Sequence, residues 1–116
     1  MRHTFKKDEK ITSGDEIRTV LWKGRRFSIP IATIYYLPAN NTKRRFTVIA
    51  SKKFGGACER NRIRRLFKEV FRLNKEKLIN GIDILIKPIL YSENFKYADA
   101  EKVFLTLCKK AGIVVA

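Results

Sequence analysis

The chain has 116 residues, 45% of them hydrophobic, which suits one modest folded domain and excludes disorder throughout. Lysine and arginine number 26 against 11 aspartate and glutamate, a formal net charge of +15. A compact chain with that excess repels itself, so the composition predicts a polyanionic partner. Nucleic acid is the first candidate, and an anionic membrane surface or an acidic protein is the second.

Residues 1–12 are polar and basic and predict a flexible N-terminal arm, followed by one domain over residues 13–116. A short helix is predicted next. It begins at Ser13, which fits a capping box with Glu16, and ends at Gly24. Three apolar residues of this helix fall at helical spacing on one face: Ile17, Val20 and Leu21.

The clearest β pattern follows this helix. From Phe27 to Leu37 the chain alternates and is rich in β-forming residues, which predicts a strand that begins after Pro30 or lies at a sheet edge there. Residues 38–43 have the composition of a turn. Residues 45–51 predict a second strand that returns as the hairpin partner of the first.

After Gly55 and Gly56 the pattern becomes that of an amphipathic helix. Its apolar stripe consists of Ile63, Leu66, Phe67, Val70 and Phe71. Its opposite face is basic and consists of Arg60, Arg64, Arg65, Lys68 and Arg72. The spacing therefore predicts a helix with one side in the core and the other in solvent.

The last two elements are a strand and a helix. Residues 82–87 predict a strand that Pro88 stops, and a final amphipathic helix runs from Tyr97 to Gly112. The predicted order is α-β-β-α-β-α, an α+β fold with one mixed sheet and helices against it.

Sorting signals are absent from the pattern. The first ten residues hold no apolar segment of the signal-peptide kind, and the longest mostly apolar stretch is too short to span a membrane. Cys58 and Cys108 lack CxxC spacing and are expected to be buried thiols in a reducing compartment. We therefore expect a cytoplasmic protein that does not engage a membrane.

The basic helix has two interpretations. A charged helix face commonly serves solvation only. Here the charges on the face are almost all positive, which pairing along the helix cannot explain. The face begins at a glycine-flanked helix start that favours anions. It is also rich in arginine, which binds phosphate bidentately. We therefore predict RNA binding by the following residues: Lys52, Lys53, Arg60, Asn61, Arg62, Arg64, Arg65 and Lys68. Asn61 suits a 2′-hydroxyl or a base edge, but its spacing fits an ordinary polar helix residue equally well.

Motifs of catalysis are not found. His3 is the only histidine and lies in the predicted arm, and no HExxH, Cys/His metal cluster, GxSxG or P-loop pattern occurs. Carboxylates are sparse and form no pair of the kind that holds two metal ions. The residues predict a binding protein that is not itself a catalyst.

The run from Ser51 to Arg72, SKKFGGACERNRIRRLFKEVFR, closely resembles the signature of the bacterial ribonuclease P protein component. Matching features are Ser-Lys-Lys, a glycine in the turn that follows, Arg-Asn-Arg, a basic pair and Phe-Arg. Weaker similarity extends through nearly all of the chain. Thr47 and Gly56 depart from the family pattern, which more often has glycine and asparagine there.

The resemblance implies a fold of αβββαβα type, a two-layer sandwich with a left-handed βαβ crossover and one more short strand near Phe27. It implies a non-catalytic subunit of the endoribonuclease that removes the 5′ leader of precursor tRNA. The catalytic RNA would perform the hydrolysis with Mg²⁺ held mainly by the RNA and the substrate, and no protein oligomer would be required.

The resemblance also implies a second surface, a cleft beside the sheet that receives the single-stranded leader. Its positions correspond to Ile17, Leu21 and Tyr35, of which only Tyr35 keeps an aromatic ring for base stacking. Both aliphatic residues also fit a core role. Three rival functions stay open at this point: a structural RNA-binding protein of ribosomal type, a stand-alone nuclease and a membrane-surface protein.

Overall fold

The computed structural model describes residues 9–39, 42–90 and 93–115. It has the predicted α+β class and the order αβββαβα. The elements are α1 (Gly14–Lys23), β1 (Arg25–Ile29), β2 (Ala32–Pro38), β3 (Arg44–Val48), α2 (Ala57–Asn74), β4 (Ile82–Pro88) and α3 (Tyr97–Ala111). A 3-10 turn, Lys75–Lys77, follows α2.

The strands form one mixed sheet in the order β1-β2-β4-β3. The pairs β1–β2 and β2–β4 are antiparallel, whereas β3 and β4 are parallel neighbours. Since parallel neighbours need a crossover connection, α2 runs from the end of β3 back to the start of β4. The left-handed sense that the resemblance implies for this crossover stays a prediction.

The predicted hairpin between the strands at residues 27–37 and 45–51 is wrong, because β4 lies between β2 and β3. Alternation and turn residues are local signals, and they do not show which strands become neighbours. β4 takes the central place because it is buried on both faces: Ile84 and Ile86 on one face and Asp83 and Leu85 on the other are at most 6% exposed.

The stretch from Phe27 to Leu37 forms two strands instead of one. Pro30 and Ile31 make the turn between β1 and β2, and Ile29 pairs with Ala32 across it. Proline fixes φ and offers no N–H to a ladder, so the turn is placed where the sequence breaks the strand. The extra strand near Phe27 that the resemblance implied is confirmed.

The main core lies between one sheet face and the pair α2 and α3. Four aromatic rings from three elements meet there, and Phe46 stacks on Phe71 with ring centroids 4.7 Å apart. Phe104 meets Phe46 edge to face at 5.8 Å, and Phe67 is 1% exposed. The core thereby fixes both helices against β3 and β4.

The opposite sheet face carries α1, which Ser13 caps by accepting a hydrogen bond from the backbone N–H of Glu16. Of the predicted apolar face only Val20 is buried, while Ile17 is half-buried and Leu21 is 36% exposed. The helix therefore contacts the sheet along a narrow line and leaves one apolar flank accessible.

The N-terminal segment reaches the β3 edge. Ile11 is buried and its N–H donates to the carbonyl oxygen of Phe46 at 3.2 Å. The carboxylate of Glu9 forms an ion pair with Lys75 at 2.8 Å. Part of the arm predicted at residues 1–12 therefore lies against the domain, and residues 1–8 lie outside the described residues.

The two cysteines differ in environment. Cys108 is buried in the core as predicted, and burial raises the pKa of its thiol. The prediction for Cys58 is wrong, since it is exposed in the first turn of α2, outside the apolar stripe. Within the described ranges, no helix is long and apolar enough to span a membrane.

Gly24 permits the tight link between α1 and β1. A Cβ at this position would lie 2.4 Å from the carbonyl oxygen of Val20 and 2.9 Å from that of Tyr36. We predict that Gly24→Ala lowers the free energy of unfolding by about 1–3 kcal/mol, measured by urea denaturation, because backbone must move to admit the methyl group.

Gly14→Ala is the matched control for Gly24→Ala. A Cβ at Gly14 would first meet the flexible guanidinium of Arg18, at 3.4 Å, so no loss of stability is expected. Equal stabilities of the two variants would contradict the steric account of Gly24.

Candidate nucleic-acid interface

The long helix α2 is held by its apolar stripe, and this orients its basic face. Ile63, Phe67, Val70 and Phe71 are at most 2% exposed and point to the sheet and α3. Residues halfway round the helix must then point away from the core. The exposed positions of that outer face include Arg65 and Lys68.

The N-terminus of α2 is built for an external acceptor. Gly56 is the N-cap residue and offers no side chain to the first-turn N–H groups, which have no intrahelical acceptor. Lys52 and Lys53 are exposed in the turn just before it. Glu59 lies against Gly55 and Gly56, so its charge offsets part of the positive potential at this end.

Three cations of the helix are available to a ligand. Arg65 and Lys68 are exposed and Arg60 is half-buried. Within the described part of the chain, none of them forms an ion pair with a carboxylate. Together with Lys52 and Lys53 they give one surface whose cations form no ion pairs with the described carboxylates, which we call the α2 basic surface.

Arg64 and Asn61 support each other on this surface. The guanidinium of Arg64 donates to the side-chain oxygen of Asn61 at 3.2 Å and to the carbonyl oxygen of Ala50 at 3.4 Å. Asn61 is exposed, and with its oxygen engaged its amide N–H groups face solvent as donors.

Arg62 is placed differently from the other predicted residues. One guanidinium nitrogen donates to the carbonyl oxygen of Phe95, and the other terminal nitrogen, Nη1, is buried without a hydrogen-bond partner among the described residues. The side chain lines a groove between α2 and α3 with Arg65 and Tyr97. Arg62 thus fastens the segment before α3 to α2.

A second link between these helices is a buried polar cluster. The Asn74 amide donates to Glu101 and to the carbonyl oxygen of Val70, both at 2.9 Å. The Tyr97 hydroxyl donates to the same Glu101 oxygen at 2.9 Å. Burial, together with this bond, raises the pKa of Tyr97 to about 12, so the phenol stays protonated at neutral pH.

Arg72 also lies on the predicted basic face but is not available in the same way. Its guanidinium pairs with the carboxylate of Glu69, and the hydrogen bond from Arg72 lowers the pKa of that carboxylate. The basic surface therefore ends before the last turn of α2.

A cleft lies on the other face of the sheet, the face that carries α1. It has a volume of about 270 Å³ and is open on one side. Its lining includes Tyr35 and Thr33 from β2, Lys87 from β4, and Lys53 and Phe54 from the turn before α2. Lys53 therefore belongs both to the cleft and to the α2 basic surface.

The helix α1 packs on the same face of the sheet as this cleft. The side of α1 that carries Glu16 and Thr19 faces Arg45 and Asp83, at the opposite end of the sheet from Lys87. Ile17 lies on the other flank and is followed there by Leu21 one turn later. Neither residue is among those that line the cleft, so their place in it stays a prediction.

Sequence reasoning missed two cations near Tyr35. Arg26 is the cross-strand partner of Tyr35 and shares its face, and Lys87 pairs with Thr33 on that face. Both residues are exposed. The pairing of β1 and β4 with β2 brings both residues to this face. The sequence pattern could not predict their position because it does not show which strands pair.

A polar triad of Arg45, Asp83 and Glu16 holds α1 against the sheet. Arg45 donates to both carboxylate oxygens of Asp83, at 2.9 and 2.8 Å, and also pairs with Glu16. The hydrogen bonds to Asp83 raise the pKa of Arg45 further above its usual range. The Arg45 side chain is 20% exposed and that of Asp83 is 9% exposed, so this pair is largely withdrawn from water.

The donor set does not fit a metal ion held by the protein. Asp83, Glu16, Glu69 and Glu101 are each engaged by cations or amide donors. In the described part of the chain, no three metal-binding side chains converge. No step of a reaction is therefore assigned to a metal bound by this chain.

Comparison with known sequences decides the family. The sequence profile of the Ribonuclease P family matches residues 5–112. The chain belongs to the ribonuclease P protein family. The role of this family is tRNA 5′ processing together with an RNA subunit.

Individual relatives agree with this assignment. A ribonuclease P protein component from Dictyoglomus thermophilum is 37% identical over 94% of this chain and 92% of its own length. One from Clostridium botulinum is 35% identical over 92% of this chain and 97% of its own. The solved RNase P protein of Staphylococcus aureus has the same fold, with a TM-score of 0.79, 21% identity and coverage of 92% and 98% of the two chains.

The triad of Arg45, Asp83 and Glu16 gives a stability prediction for this ribonuclease P protein. Asp83→Ala is expected to lower the free energy of unfolding by about 3 kcal/mol in urea denaturation, because it leaves the Arg45 guanidinium largely buried with one partner fewer. The double variant Arg45→Met/Asp83→Leu should regain most of that loss.

Asp15→Ala supplies the control for the triad. Its partner Arg18 and Asp15 itself are 72% and 88% exposed, so this surface pair should contribute less than about 1 kcal/mol. A double variant that is no more stable than Asp83→Ala would contradict the account.

Proposed function

We propose that this chain is the protein subunit of a ribonuclease P holoenzyme and binds two RNA molecules through adjacent surfaces. The α2 basic surface binds the catalytic RNA, and the cleft beside α1 binds the 5′ leader of precursor tRNA. The observation that carries the proposal is the position of Lys53, which lines the cleft and also precedes the α2 N-terminus.

The contribution of the chain is electrostatic. Catalytic RNA and precursor tRNA are both polyanions, and bringing them together costs Coulomb repulsion. Cations without internal carboxylate partners, such as Arg60, Arg65 and Lys68, lower that cost by replacing condensed counterions. Hydrolysis is assigned to the RNA subunit with Mg²⁺ that RNA and substrate hold, in keeping with a donor set that does not suit a metal.

The predicted RNA-binding residues fall into three roles. Lys52, Lys53, Arg60, Arg65 and Lys68 offer charge directly to phosphates. Asn61 with Arg64 offers oriented amide donors that suit a ribose hydroxyl or a base edge. Arg62 acts mainly by fastening α3, and its substitution is expected to alter stability as well as RNA affinity.

The rival functions are less well supported. A ribosomal-type structural protein would need no cleft and would belong to another family. A stand-alone nuclease would need acid–base groups, whereas the carboxylates of the triad serve as partners of arginine. We place the holoenzyme in the cytoplasm and require no protein oligomer for its action.

A double variant tests the α2 basic surface. Arg60→Ala/Arg65→Ala is expected to weaken binding to a bacterial catalytic RNA and to flatten its salt dependence. The slope of log K against log salt should fall by about 0.7–0.9 for each phosphate that the protein no longer neutralises. The measurement is a binding titration at several salt concentrations.

The control has the same change in charge at another site. Lys109 and Lys110 are exposed at the C-terminal end of α3, so Lys109→Ala/Lys110→Ala removes two charges without touching α2. In a cleavage assay on precursor tRNA at low Mg²⁺, the wild-type chain and the control should stimulate the catalytic RNA and Arg60→Ala/Arg65→Ala should not. Equal slopes for both variants, or no stimulation by the wild type, would refute the role of the α2 surface.

A second variant tests the cleft. Tyr35→Ala is expected to weaken binding of precursor tRNA to the holoenzyme by about 1–3 kcal/mol, the typical contribution of one base stacked on an aromatic ring. Binding of mature tRNA, which has no leader, should not change. Tyr35→Phe keeps the ring and should bind as the wild type does; a loss with both substitutions would argue against stacking.

A further inference from the structure

Trp22 is an exposed aromatic residue that is not part of the hydrophobic core. It is 85% exposed, more than any other large hydrophobic residue in the described part of the chain. On α1 it lies two positions after Val20, about 200° round the helix, so it points away from the sheet. Its indole is therefore available to a ligand without any change in the fold.

The surroundings of Trp22 are basic. Lys23 follows it at the end of α1, and Arg26 lies three residues further on, in β1. Both side chains are exposed. Neither residue has an ion pair or a side-chain hydrogen bond among the described residues. In the sequence, no acidic residue occurs between Glu16 and Glu59. We call Trp22, Lys23 and Arg26 the Trp22 cluster.

The cluster adjoins the cleft at the β1 edge of the sheet. Arg26 stands directly across from Tyr35 on the cleft face, and β1 is the outermost strand on that side. A single strand that passes over Tyr35 and leaves the cleft across β1 meets Arg26 first. It then passes the C-terminal end of α1, where Trp22 and Lys23 lie.

We propose that the Trp22 cluster is a second binding site for single-stranded RNA, on which a leader nucleotide outside the cleft stacks. Trp22 supplies the stacking surface, and Lys23 and Arg26 contact the flanking phosphates. An exposed indole beside unneutralised cations is the combination that binds single strands without regard to sequence. This inference rests on the proposed leader cleft and extends the path of the leader beyond it.

The site compensates for the aliphatic positions of the cleft. Ile17 and Leu21 cannot stack on bases as aromatic rings do, so Tyr35 is the one predicted cleft residue with a ring. Trp22 adds a ring at the neighbouring position on the outer side of the same helix turn as Leu21. Leader affinity should therefore depend on length, since only a long leader reaches Trp22.

The experiment uses holoenzyme assembled from the full chain and a bacterial catalytic RNA. Precursor tRNAs with leaders of about 4 and about 12 nucleotides serve as probes, one confined to the cleft and one that extends past it. Trp22→Ala is expected to lower affinity for the long leader by about fivefold or more and to leave the short leader unchanged. Trp22→Phe should retain most of the affinity.

Fluorescence gives an independent readout because Trp22 is the only tryptophan of the chain. Adding the long-leader substrate to the holoenzyme should quench its emission, and the short-leader substrate should not. Leu73→Ala, at a 39% exposed position of α2, controls for loss of an exposed apolar side chain and should bind both leaders normally.

The outcomes separate this inference from the proposed function. If Trp22→Ala binds both leaders as the wild type does and the emission is unchanged, the Trp22 site is refuted. If Tyr35→Ala also leaves both leaders unaffected, the cleft itself is refuted. Loss of self-association, or of binding to anionic vesicles, in Trp22→Ala with normal leader binding would assign the cluster to a second copy or to a lipid surface and overturn the RNA proposal.

Discussion

The arrangement of the whole molecule depends on the burial of one apolar stripe of α2. Because Ile63, Phe67, Val70 and Phe71 fill the space above the sheet, the helix cannot rotate to pair its cations with the few acids of the chain. The glycine-flanked start of the helix is held at the end of β3 for the same reason. The position of the positive charge is thus a result of core packing.

The scarcity of acids then divides the arginines into two groups. Arg45 and Arg72 are paired with carboxylates and serve stability, the first largely buried beneath α1. Arg60 and Arg65 are left for a partner because they form no ion pair within the described chain, where the nearby Glu69 is engaged by Arg72. Arg62 belongs to neither group, since it donates to a backbone carbonyl and carries a nitrogen that no described group satisfies.

The sequence alone predicted the elements whose apolar residues recur at a clear helical or strand spacing. The stripe of α2, the buried strand β4 and the C-terminal end of α3 at Gly112 follow from spacing and from a residue that adopts positive φ, here +73°. Strand pairing did not follow, because which strand lies beside β2 is decided by long-range burial. The central strand is β4, in which six of the seven residues are buried.

The candidate site was predictable to the same degree. The cations of α2 were found from their spacing on one helix. Arg26 and Lys87 were not found, because only the strand register places Arg26 beside Tyr35 and Lys87 beside Thr33. The structural role of Arg62 could not be predicted from the sequence either, because its partner Phe95 lies beyond β4 in the chain and contacts α2 only in the folded protein.

The outer strand β1 has a consequence for the protein before it meets RNA. Exposed backbone at the edge of a sheet invites edge-to-edge association between copies of a chain. At the other edge, the N-terminal segment covers β3 through the bond from Ile11 to Phe46. At β1, Arg25 and Arg26 would have to approach the same arginines of a neighbour, so mutual repulsion keeps newly made copies apart until a polyanion screens them.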